Sequence, residues 1–233
     1  MIKPLHLDID GRTLPVVVRR SGTARRVSLR LDPALGVVVV LPVGMAEAEA
    51  ERFARAQRDW IARRLERLPE RVVPADGVAI PLMGLPHVIR HTPAARRGVW
   101  AEDGIIHVSG RSEHLARRVG AFLKDEARLV LAERARHHAG RLNRPLGRVT
   151  VRDTRSRWGS CSARGDLSFS WRLVLAPAWV QDYVVAHEAA HLVEMNHGPA
   201  FWQVVEWLIG DCEPARDWLK RHGPGLHRFG API

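Results

Sequence analysis

The alternation of apolar and polar positions changes character several times along the chain. Residues 1–45 hold short β-rich runs, Val16-Val17-Val18, Val27-Ser28-Leu29-Arg30-Leu31 and the valines of 37–41, separated by turn residues at Ser21-Gly22, Asp32-Pro33 and Gly36. Residues 46–68 are rich in Ala, Glu and Arg, with Phe53, Ala56, Trp60, Ile61 and Leu65 near one face. That pattern predicts one long amphipathic helix, ended by Pro69 and Pro74. Residues 78–90 and 99–108 read as further strands, the second stretch folding back at Asp103-Gly104. A second long helix is predicted over 113–142, before Asn143-Arg144-Pro145. No internal repeat is evident, and the change from strands to helix near 109–112 suggests a β-rich region with one long helix over 1–110 and a second domain over 111–233.

Beyond that boundary Val149-Thr150-Val151-Arg152 predicts a short strand, and 156–164 a polar loop. Residues 167–173 alternate as Leu-Ser-Phe-Ser-Trp-Arg-Leu, which predicts a strand with two distinct faces. Pro177 suits the first turn of a helix through Val180, Val184 and His191. Gly198-Pro199 interrupts the chain before another helix over 201–209, and the Gly- and Pro-rich tail 222–233 reads as irregular. Trp171, Trp179, Trp202, Trp207 and Trp218 read as core anchors.

The apolar helix before Gly198 carries polar groups that need a reason to be there: His187-Glu188-Ala189-Ala190-His191. Histidines four apart on a helix differ by about 40° in direction and about 6 Å in rise, so both rings can reach one ion beside the helix. Glu188 then flanks the ion and can take a proton from its water. A third ligand is required, and His197 is the first candidate. On a continuous helix it would face away, but Asn196, Gly198 and Pro199 supply a turn that brings it back. Glu194 and Glu206 compete for the same role. The expected cofactor is Zn2+, since three protein ligands leave the open position that hydrolysis needs.

Composition adds limits to this picture. The 233 residues are 46% hydrophobic and 26% charged, ordinary for a globular protein. The opening residues reach Asp8 before any apolar stretch, and the longest apolar run, 37–43, cannot span a bilayer, so neither signal peptide nor membrane segment is expected. Two cysteines, Cys161 and Cys212, cannot build a disulfide framework, and a cytoplasmic location follows as the simplest expectation. The net charge of +11 suggests weak, salt-sensitive nucleic-acid binding. Scattered arginines on solvated helix faces explain the same number without a partner.

Several segments together resemble the YgjP-like metallopeptidases, relatives of the SprT-like proteins among the zincins. They are Ser156-Arg157-Trp158-Gly159-Ser160-Cys161-Ser162, the strand 167–173, the run from Asp182 to His191, and Asn196-His197-Gly198-Pro199-Ala200-Phe201-Trp202. Arg25-Arg26-Val27-Ser28-Leu29-Arg30 and Asp59-Trp60-Ile61 fit as well. The resemblance implies an α+β, zincin-like fold, zinc on His187, His191 and His197, and Glu188 as general base. Ala189 stands where the family usually has a bulkier Leu.

Each neighbouring residue has two readings. Arg157 could stabilise an oxyanion or stack on Trp158 as a structural arginine. Cys161 fits a packing role better than a thiolate ligand. Tyr183, one turn before His187, could polarise a carbonyl or pack the helix. Asn196 could support a ligand or cap the turn. Ser168 and Ser170 leave room for a substrate if strand 167–173 is a sheet edge that pairs with an extended peptide. The expected partner is a peptide or unfolded protein. The competing functions are a nucleic-acid-associated SprT-like protease or binding module and a zinc hydrolase of a non-peptide amide.

Overall fold

The computed structural model describes residues 5–9, 11–32, 36–66, 72–154 and 156–229. The expected turn at Pro33, the helix stop at Pro69 and the last four residues of the tail lie outside them. Contacts divide the chain at Arg71/Val72 into two compact units.

The first unit holds strands β1 (Leu5–Ile9), β2 (Arg12–Ser21), β3 (Ser28–Asp32) and β4 (Gly36–Pro42) in the order β1-β2-β4-β3. Val37, Val39 and Leu41 bury completely against helix α1 (Glu47–Ala56) and Ile61 of helix α2 (Arg58–Glu66). The single helix expected over 46–68 is therefore two. Gln57 leaves helical geometry at φ −99° and ψ 16° and separates them.

The second unit begins with β5 (Ala79–Leu82), β6 (Leu85–His91), β7 (Val99–Glu102) and β8 (Ile105–Val108), ordered β5-β6-β8-β7. Both four-stranded sheets place two antiparallel hairpins side by side through a parallel pair, β2 with β4 and β6 with β8. The chain thus repeats a topology that its residues do not advertise. The hairpin β7–β8 turns at Asp103-Gly104 with φ 49° and 75°, the left-handed pair that such turns require.

Helix α3 (Leu115–Arg141) buries Leu115, Val119, Leu123, Ala127, Leu131 and Ala135, a stripe at intervals of four. This stripe shares one core with Ile80, Ile89, Ile106 and Val108 of the preceding sheet and with the elements that follow. The expected division near 109–112 falls inside the second unit for that reason.

The third sheet has the order β10-β11-β9, from β9 (Val149–Arg152), β10 (Gly159–Cys161) and β11 (Leu167–Ser170). The strand predicted over 167–173 stops at Ser170, and residues Trp171–Leu175 form a buried 3-10 turn. Helices α4 (Ala178–Ala190), α5 (Pro199–Ile209) and α6 (Glu213–Leu226) complete an α+β fold. Helix α6 runs into the tail expected to be irregular. Gly223 lies against the Trp158 ring, where a Cβ would come within 3.0 Å, so the glycine serves close packing. Of the expected tryptophan anchors, Trp171 is 3% exposed, whereas Trp179 and Trp207 are 49% and 58% exposed. No helix among the described residues is long and apolar enough to cross a membrane.

Candidate metal centre

Helix α4 is buried nearly all round, with Val180, Val184, Val185, Ala186, Ala189 and Ala190 in the core. It carries His187 and Glu188 and ends at Ala190, with His191 as its C-cap residue. The backbone N–H groups of Val193 and Glu194 both donate to the Ala190 carbonyl, closing the last turn. The ring Nδ1 of His191 pairs with the Glu194 carbonyl at 2.9 Å. As donor there, Nδ1 leaves Nε2 unprotonated and free to bind a cation.

From Glu194 the chain doubles back. The Gly198 N–H donates to the Asn196 carbonyl at 2.8 Å, and Pro199 opens α5. This brings His197 Nε2 to 3.0 Å from His187 Nε2. One ligand atom from each of His187, His191 and His197 lies within 4.8 Å of the others. Nitrogens bound at zinc distances in a tetrahedron would be roughly 3.3 Å apart, so the arrangement fits such an ion with little movement. The buried Phe201 ring contacts all three imidazoles, at centroid distances of 4.9, 4.6 and 4.6 Å. Trp202 adds contacts to His187 and His197 and is itself covered by Arg216 at 5.1 Å.

Electrostatics agree with a cation site. Burial, with His191, His197 and Arg216 nearby, pushes the His187 pKa down to about 4. Burial also lowers that of His191, against the hydrogen bond to Glu194. Neutral imidazole is the form that binds a metal. Glu188 is 7% exposed, and burial raises its pKa to about 7 against the pull of Arg157. Cys161 is pushed up to about 11 by burial, then by Glu188 and Asp166, so its sulfur stays a thiol and donates to the Ser162 carbonyl.

The other expected residues scatter. Arg157 is exposed, while the Trp158 ring packs on His227 at 5.2 Å. Tyr183 is 8% exposed beside His187, at 6.0 Å between rings, and burial raises its pKa to about 12. Asn196 is exposed and holds the turn through its backbone. Neither Glu194 nor Glu206 joins the three ligand atoms.

The expectation for strand 167–173 is overturned. Strand β11 pairs with β10 on one side and with β9 on the other, so neither edge is open to a peptide. Ser170 is fully buried, and its hydroxyl donates to the Thr154 carbonyl. Leu167, Phe169, Trp171 and Leu173 are buried as expected.

Strand β10, which sequence reasoning passed over inside a polar loop, is the edge of this sheet that borders the histidines. Ser162 N–H donates to Asp166, and Ser170 N–H donates to Trp158. Hydrogen-bonded pairs alternate along an antiparallel ladder, so Gly159 and Cys161 turn their N–H and C=O groups away from β11. Gly159, Cys161, His187, Glu188 and His197 line one cleft of about 330 Å³, together with Met195. The signal available beforehand was Gly159, a small residue where backbone and side chain must approach closely.

No curated protein matches the chain. One solved structure, the metallopeptidase zymogen of Pyrococcus abyssi abylysin, is 22% identical, covers 42% of this chain and 97% of that one, and has a TM-score of 0.36. The family described as YgjP-like, metallopeptidase domain, matches residues 25–222, nearly the whole length and all of the histidine site. The chain belongs to the YgjP-like metallopeptidase family.

Proposed function

We propose that the chain is a zinc-dependent peptidase in which His187, His191 and His197 hold the metal and Glu188 is the general base. The observation that carries this reading is the convergence of three imidazoles, two of their nitrogens 3.0 Å apart, beside a buried carboxylate. Zinc in such a site supplies a Lewis acid and lowers the pKa of water to roughly 7. Glu188 accepts the proton of the attacking water and returns it to the departing amine. A carboxyl with a pKa near that of the water suits both transfers.

Strand β10 orients the substrate. The N–H and C=O groups of Gly159 and Cys161 can pair with an extended peptide and set its scissile carbonyl beside the histidines. The substrate is then a flexible or unfolded chain, because a folded one has no free strand to offer. The positive charge of Arg157 favours the carboxylate form of Glu188 against the effect of burial. Cleavage of an unfolded protein by the zinc-loaded chain, alongside Glu188→Gln, tests the proposal. The variant is expected to keep zinc and lose at least about a hundredfold in turnover. Wild-type turnover in that variant would remove Glu188 as the base.

A further inference from the structure

The sheet that carries β10 has a second side, facing away from α4. Gly159 and Cys161 pair with Phe169 and Leu167, whose side chains are buried, so these four share the inner face. Ser160 pairs with Ser168, and Ser168 with Thr150, which lines the three hydroxyl residues across the outer face. A cavity of about 360 Å³ opens over them, lined also by Arg148, Arg152 and Arg157. One acid, Asp166, shares this lining, and its carboxylate accepts the Arg148 backbone N–H at 2.7 Å. All three arginines are exposed, whereas the arginines found in ion pairs among the described residues are others, such as Arg134 and Arg172. Three guanidinium groups thus stand over a row of hydroxyls, on the strand whose other face meets the metal centre.

We propose that this cavity binds acidic side chains of the substrate and makes the enzyme selective for acidic peptide segments. The inference rests on peptide pairing with β10. In such a pair, substrate residues alternate between the two faces of the sheet. Those opposite Gly159 and Cys161 point toward Glu188 and the histidines. A residue opposite Ser160 points to the outer face, beside Arg157 and the hydroxyl row. A carboxylate there gains charge-assisted hydrogen bonds from exposed guanidinium groups that outnumber the one acid in the lining. A lysine or arginine in the same position meets three like charges. Nucleic acid fits less well, because the arginines surround a cavity continuous with a peptide-pairing edge instead of forming a stripe along the surface.

The test separates binding from turnover by using the zinc-loaded Glu188→Gln protein. Fluorescent extended peptides carrying Asp at alternate positions, or Asn at the same positions, are titrated and followed by anisotropy. The Asp peptide is expected to bind about tenfold tighter. Arg148→Ala/Arg152→Ala should abolish the difference while leaving binding of the Asn peptide unchanged. Arg152→Glu, with folding verified by circular dichroism, should shift preference toward a Lys peptide. Equal affinity for the Asp and Asn peptides, no measurable binding of either, or a preference that survives the double substitution overturns the proposal. So does a single-stranded oligonucleotide that displaces the Asp peptide at lower concentration than unlabelled peptide does. An acidic preference in a wild-type protein that cleaves nothing would instead retire the peptidase reading and leave the cavity's selectivity standing.

Discussion

Gly159 faces Glu188 so closely that a methyl group on its α-carbon would lie 2.5 Å from the Glu188 Cγ and 2.6 Å from Oε1. The edge strand and the proposed base therefore define one another's positions. Gly159→Ala must move either the carboxylate or the strand. Misplacement of about 1 Å costs on the order of a hundredfold in rate. Gly159→Ala is expected to keep its zinc and lose that much kcat, as measured by metal content and peptide cleavage on one preparation. Unchanged cleavage would show that Glu188 can act from elsewhere.

Phe201 is fully buried and touches all three imidazoles. Removing a ring of this kind costs about 3–5 kcal/mol. Phe201→Ala should unfold at lower temperature and surrender zinc to a chelator far sooner than wild type. Phe201→Leu, which refills part of the volume, should recover much of the stability but less of the metal affinity. Equal chelator resistance in all three proteins would mean that the rings need no such support.

Asp182 ties α4 to α3. Its carboxylate pairs at 3.0 Å with both Arg134 and His138, the latter 2% exposed. Burial alone would raise the Asp182 pKa, but the His138 and Arg134 contacts outweigh it and hold it below the usual value. A depressed folded-state pKa gives stability that is present above the unfolded value, about 3.9, and is lost as pH falls through the folded one. Asp182→Asn should thus cost about 1–2 kcal/mol at pH 7. The deficit should shrink below pH 4, read by denaturant unfolding at each pH. A deficit independent of pH would assign the loss to packing.

Much of the histidine cluster is legible in the sequence because its geometry is local. His187, Glu188 and His191 are placed by helical spacing, and Gly198-Pro199 announces the turn that returns His197. The edge strand is not legible. Gly159-Ser160-Cys161 has no apolar alternation, and it is a strand because β11 lies beside it. The alternation of 167–173 correctly gives the buried face, but alternation says nothing about which edges are paired. That depends on β9 arriving in parallel from a distant segment. Likewise Gly223 and Pro224 read as helix breakers, while the packing of Trp158 on Gly223 keeps α6 going.

Zinc content decides the central claim. Wild type, His197→Ala, Glu194→Ala and Glu206→Ala should be purified identically and analysed by mass spectrometry of the metal. His197 is exposed, so its loss leaves the core intact. The account predicts about one zinc per chain in wild type and in both carboxylate variants, and a small fraction of that in His197→Ala. Full zinc in His197→Ala, with loss in either carboxylate variant, would contradict it.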